Sequence, residues 1–162
     1  MIKKNILLVL LIKVFLFYDN TSSQSLGSVA AGTLKDLDFG IVFLGETKEI
    51  LYNNPNAAKF LIKYDVGSSI VVFAQVRFFL PNFLYSLNDK IPIEFPAAYY
   101  NFSDSPGGAI QFNPQSGFST WVRIWFLYRS AIYIWIGGKV KTYATSEAGN
   151  YSNNIILQVD LF

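Results

Sequence analysis

The chain has 162 residues, no cysteine, no histidine and a formal net charge of +2. Those absences exclude a Ser-His-Asp triad, a cysteine nucleophile, a disulfide framework and the ordinary zinc and copper sites. Hydrophobic residues make up 52%, with 15 Phe, 10 Tyr and 3 Trp, which suits one domain with an ample apolar core.

In chain order, Met1 to Ser25 has a positive start at Lys3 and Lys4, an apolar middle and a small, polar end, the pattern of a cleaved secretory signal peptide. Lys13 interrupts its apolar run, which is short for a membrane span. Cleavage after Ser25 would remove three lysines and Asp19 from 13 basic and 11 acidic residues, leaving ten of each. A neutral domain, residues 26–162, offers no electrostatic footprint for nucleic acid. Stable membrane insertion after cleavage is not expected either.

The stretch "LDFGIVFLGETKEI", residues 37–50, contains Asp38-Phe39-Gly40, the triplet that holds magnesium in protein kinases. A kinase also needs a Gly-rich loop and a catalytic-loop histidine, so the triplet reads as structural. Alternation of Leu37, Phe39 and Ile41 predicts a strand, with a turn at Gly45-Glu46-Thr47. Gly40 predicts a bulge or a close backbone approach, and Asp38 a local side-chain to backbone hydrogen bond.

Next, Phe60, Ile62, Tyr64 and Val66 alternate, as do Ile70, Val72, Ala74 and Val76, and Gly67-Ser68-Ser69 between them predicts a β-hairpin. Further strand-like runs are 91–95, 109–112, 119–128, 131–140 and 154–162, and no segment after residue 25 keeps a helical period. Short strands separated by turn signals predict an all-β, immunoglobulin-like antiparallel β-sandwich in a single domain. In the last run, Ile155, Leu157, Val159 and Leu161 form an apolar face for such a core. The alternative, a small outer-membrane barrel, would turn Asp160 and Gln158 toward hydrocarbon on the aromatic-ended face.

Chemistry is sparse. Ten carboxylates remain after cleavage, but spacing selects no pair for acid-base work. Asn101, Ser103, Asp104 and Ser105 could offer oxygens to calcium, yet one carboxylate is too few, and Pro106-Gly107-Gly108 reads as a turn. No enzyme activity, cofactor or metal site is expected. The run "STWVRIWFLYRSAIYIWIGG" is richer: read as an aromatic hairpin, it places Trp121, Arg123, Trp125, Tyr133 and Trp135 outside the core as a candidate binding surface. In the plainer alternative, Arg123 and Arg129 stack over Trp rings and shield a sheet face.

Four blocks together carry a resemblance: Leu37 to Gly40, Ala58 to Phe60, Gly137-Gly138, and Ala148-Gly149-Asn150-Tyr151 leading into a final alternating strand. In their order and spacing they are similar to a secreted bacterial β-sandwich family, the domain of unknown function numbered 4402. The resemblance implies a fimbrial or spore-coat-like surface protein with no assigned catalytic residues. The expected function is therefore that of a secreted, periplasmic or cell-surface structural or adhesion-type module. Its expected partners are further copies of itself, other surface proteins or glycans. The segment "LGSVAAGTLKDL", small and weakly structured by composition, is a candidate for a strand donated to a neighbour. The alternative is a carbohydrate-binding module using Trp121, Trp125 and Trp135.

Overall fold

The computed structural model describes residues 28–66, 71–124 and 127–162, all in strands, turns and loops. The expected signal peptide, the expected turn at residues 67–69 and Trp125 lie outside the described residues. The strands are β1 (Ser28–Lys35), β2 (Thr47–Ile50), β3 (Ala58–Asp65), β4 (Val71–Phe79), β5 (Phe83–Tyr85), β6 (Lys90–Glu94), β7 (Ala98–Asn101), β8 (Ile110–Phe112), β9 (Phe118–Ile124), β10 (Leu127–Tyr128), β11 (Ala131–Ile136), β12 (Gly138–Lys141) and β13 (Ile156–Leu161). They form three antiparallel sheets: β1-β3-β11-β7-β8, β10-β9-β4-β13 and β2-β12-β6-β5. The protein is an all-β antiparallel sandwich, as its alternating pattern predicts, and none of these sheets closes into a barrel among the described residues.

Alternation decides which residues fill the space between the five- and four-stranded sheets. From one side come Phe60, Ile62, Tyr64, Ile132, Ile134 and Ile136; from the other come Val72, Ala74, Val76, Phe78, Val122 and Leu157, all buried. Each large aliphatic side chain sequestered in this way stabilises the fold by roughly 1.5–3 kcal/mol. Ile155, Val159 and Leu161 pack against the same core, as the last strand's pattern predicts.

The third sheet continues the first around a corner. Strand β11 passes into β12 with only Gly137 between them, while β2 precedes β3 and β6 precedes β7, so the same three neighbours meet on both sides of the bend. At the bend a Cβ on Gly137 would sit 2.3 Å from the Ile50 carbonyl oxygen, and one on Gly138 would sit 2.8 Å from Leu37 Cδ2 and 3.1 Å from Phe39 Cζ. Both glycines exist to let other groups in.

That contact places Asp38-Phe39-Gly40. The segment at 36–43 is not the expected strand; it is an irregular strap whose Phe39 ring is buried against Gly138. The Gly40 N–H donates to Asp38 Oδ1 at 2.8 Å, which is the expected local hydrogen bond. Gly40 is required for its positive φ of 58°, and only the end of a lysine side chain lies near its missing Cβ. The following turn centres on Leu44 and Gly45, and Thr47 already belongs to β2.

Two further expectations are corrected. The runs at 60–66 and 70–76 do not pair as a hairpin: β3 pairs β1 and β11, whereas β4 pairs β9 and β13. Both runs bury their alternating faces in one core, so they lie in opposite layers. The N-terminal segment is not weakly structured; β1 pairs with β3 from Ser28↔Asp65 to Lys35↔Lys59, and donation to a neighbour would require it to leave that edge.

Gly137→Ala should therefore destabilise the fold by about 3 kcal/mol, because backbone cannot move aside as a side chain can. Gly138→Ala, which meets only the Leu37 and Phe39 side chains at that range, should cost less. Urea unfolding of both variants measures the order.

Candidate interaction surface

The expected aromatic hairpin does not form, because its two runs enter different sheets. Strand β9 pairs with β4 and with the two-residue β10, while β11 lies between β3 and β7. The chain folds back briefly, Leu127 opposite Ile124 and Tyr128 opposite Arg123, then crosses to the other layer at Arg129 and Ser130. The Arg129 N–H donates to the Val122 carbonyl at 3.0 Å, and Ser130 O accepts from Tyr64 N at 3.3 Å, which secures the crossing.

The candidate residues accordingly separate. Trp121 stands on the outer face of the four-stranded sheet, 46% exposed, its ring edge-on to Phe73 at 4.7 Å. Arg123 leaves that face because the register shifts opposite Val72 and Phe73, a bulge that places Val122 in the core and turns Arg123 toward the open end of the sandwich. There Arg123 Nη1 donates to the Val66 carbonyl at 2.8 Å and its guanidinium lies 5.8 Å from the Tyr128 ring. Tyr128 is exposed and donates to the Tyr64 carbonyl at 3.3 Å.

Tyr133 and Trp135 lie on the far side of the molecule, on the outer face of the five-stranded sheet. Trp135 is 6% exposed, which overturns its assignment to an open surface and leaves no free ring face for a sugar. Neighbours cover it: Tyr133 stacks at 6.3 Å, and Lys59 Nζ, paired with Asp104, lies 5.7 Å from the Trp135 ring. Close by, Tyr52 stacks on Tyr99 at 3.6 Å, carried there by the backbone that crosses Gly137. Among the described residues, Arg129 shields a phenylalanine, its guanidinium 3.5 Å from the Phe102 ring.

The 101–105 loop keeps its oxygens for itself. Asn101 Nδ2 donates to the carbonyls of Ser105 and Gly107, Asn101 Oδ1 accepts from the N–H groups of Phe102 and Ser103, and Asp104 goes to Lys59.

The coherent open surface is one that the sequence reading only partly named. Pairing on the four-stranded sheet sets Leu127, Ile124 and Val71 in one outer row, and Trp121, Phe73 and Phe162 in the next. Leu127, Val71, Trp121 and Phe162 are 37%, 42%, 46% and 61% exposed. A polar band of Ser119, Gln75 and Asp160 follows, with Arg77 and Gln158 beyond it. The signal missed was Phe73, which sits on the polar-looking face of a strand whose other face is all core.

The chain entering β13 is held by Asp89. Its Oδ2 accepts from the Tyr151 hydroxyl at 2.6 Å and the Glu147 N–H at 3.0 Å, and Oδ1 accepts from the Lys90 N–H at 2.7 Å. These donors, Tyr151 first, hold the Asp89 carboxyl below its usual range, and the same bond raises Tyr151. The segment "AGNY" thus serves as a clamp, continued by the paired Tyr85 and Ser152.

The fold and surface define an antiparallel β-sandwich with aromatic residues on both outer faces, covered on the five-stranded sheet and half exposed at Trp121 on the four-stranded one. Comparison with protein-family models, with curated proteins and with solved structures gives no match in any of the three.

A depressed carboxylate stabilises the fold above its unfolded pKa, and that contribution is lost as pH falls through the lower folded value. The stability difference between the protein and Asp89→Asn should be constant between about pH 5 and 9, and should shrink below that range as the carboxylate protonates and above it as tyrosine ionises in the unfolded chain. Urea unfolding over a pH series measures the difference.

Proposed function

We propose that the protein is an exported or cell-surface structural or adhesion-type module that acts by protein association rather than catalysis. The observation that carries this reading is the double row Leu127-Ile124-Val71 and Trp121-Phe73-Phe162 on one sheet face. Contiguous exposed apolar area of this kind, rimmed by polar residues, marks interaction sites, and an aromatic at its centre supplies most of the contact energy. Phe73 lies in the middle of the aromatic row with the half-exposed Trp121 beside it, and Gln75, Ser119 and Asp160 form the polar border.

The leader-like composition of residues 1–25 supports export, and the four sequence blocks agree with a surface protein of the family they resemble. No helix among the described residues is long and apolar enough to cross a membrane.

Light scattering after size exclusion, over a wide concentration range, tests the reading. Mass should grow with concentration, and Trp121→Ser should weaken that growth while changing stability by less than about 1 kcal/mol, since the ring is half exposed. A monomer at every concentration whose tryptophan fluorescence is quenched by added glycan would overturn it in favour of a carbohydrate-binding module.

A further inference from the structure

Strand β13 has β4 on one side and, among the described residues, no strand on the other. Phe162 and Phe73 exchange both backbone hydrogen bonds, at 2.9 Å each. With the continuous register from Leu161↔Ala74 to Ile156↔Phe79, alternation turns the backbone groups of Asp160, Gln158 and Ile156 toward β4. Those of Leu161, Val159 and Leu157 point outward. Strand β1 comes near β13 but pairs with β3, so it takes none of them.

The other edges are short or guarded. Strands β5, β8 and β10 have three, three and two residues, β2 carries Lys48 and Glu49, and β1 is interrupted between Thr33 and Lys35. Strand β13 has six residues with no proline, lysine or bulge. Its one charge, Asp160, is satisfied within the chain by Arg77 at 3.0 Å and Gln158 Nε2 at 3.1 Å.

We propose that β13 pairs antiparallel with β13 of a second copy across a two-fold axis at Val159, joining two four-stranded sheets into one. Resting on the association reading above, the proposal names its partner and its edge. Opposite residues must share a face, and that leaves few registers. Centred on Gln158, the pairing would set Ile156 against Asp160; centred on Asp160, it would oppose two carboxylates. Centred on Val159, it sets Gln158 against Asp160 of the second copy, and Ile156 against Phe162. These last two, 39% and 61% exposed at opposite ends of the strand, then cover each other on both sides of the axis. Leu157 and Leu161 meet on the inner face, with every outward backbone group matched. The aromatic rows of the two copies lie on the same face of the joined sheet.

The chain has no cysteine, so a register test is clean. In this register Ile156 and Phe162 of the second copy form a non-hydrogen-bonded pair, Cα atoms about 4.5 Å apart, within disulfide range. Within one chain the same residues are roughly 20 Å apart along the strand. Mild oxidation of the Ile156→Cys/Phe162→Cys protein should give a covalent dimer, and neither single variant should. Val159→Pro, which removes an outward N–H and spares the ladder to β4, should raise the dimer dissociation constant about tenfold or more. Concentration-dependent mass without the cross-link, unaltered by Val159→Pro, would overturn β13 pairing and leave association through another surface. A protein that neither cross-links nor gains mass, and whose tryptophan fluorescence a glycan quenches, would overturn both.

Discussion

The close passage of backbone over Gly137 is the constraint on which the rest of the molecule depends. The Ile50 carbonyl occupies the space where any side chain at that position would start. Because the chain can cross there, β11 continues as β12 with a bend, the first sheet extends into a third, and Tyr52 reaches Tyr99 on the outer face. Next door, Gly138 admits Leu37 and Phe39, so the strap from β1 closes over the bend. Two adjacent missing side chains thus organise a sheet, a strap and an aromatic stack.

The two outer faces differ in how completely they are finished. On the five-stranded sheet, Trp135 is buried beneath Lys59 and its neighbours, and Asp104 holds the lysine in place. On the four-stranded sheet, Trp121 meets the edge of Phe73 and stays half exposed, and Val71 and Leu127 in the aliphatic row beside it are exposed as well. The same residue type is structural on one side and available on the other. What decides is whether a charged chain or a crossing segment lies over the ring.

Alternation made the core legible in the sequence: Phe60, Ile62, Val72, Val76, Ile132, Ile134, Ile136 and Leu157 all face inward as their spacing predicts. Pairing partners were not legible, because two successive apolar runs look alike whether they form a hairpin or cross between layers. The bulge at Val122, opposite Val72 and Phe73, is invisible for a similar reason, since one extra residue leaves composition unchanged while moving Arg123 off its expected face. Trp135 was misplaced because burial by Lys59 depends on a strand partner far away in sequence. Asp38-Phe39-Gly40 was readable in its chemistry, a local hydrogen bond beside a special glycine, but not in its shape. A strap and a strand can share the same alternating letters.

The position of β11 has a consequence for how the chain acquires its structure. This strand is the middle of the five-stranded sheet, between β3 and β7, yet it begins only at residue 131. Until it is in place, β3 and β7 have no common neighbour, and β8 and β1 hang on sheets that lack a centre. Such non-local pairing makes folding slow and nearly all-or-none, with little to gain from the early part of the chain alone. A polypeptide of this design can complete its largest sheet only when most of its length is present.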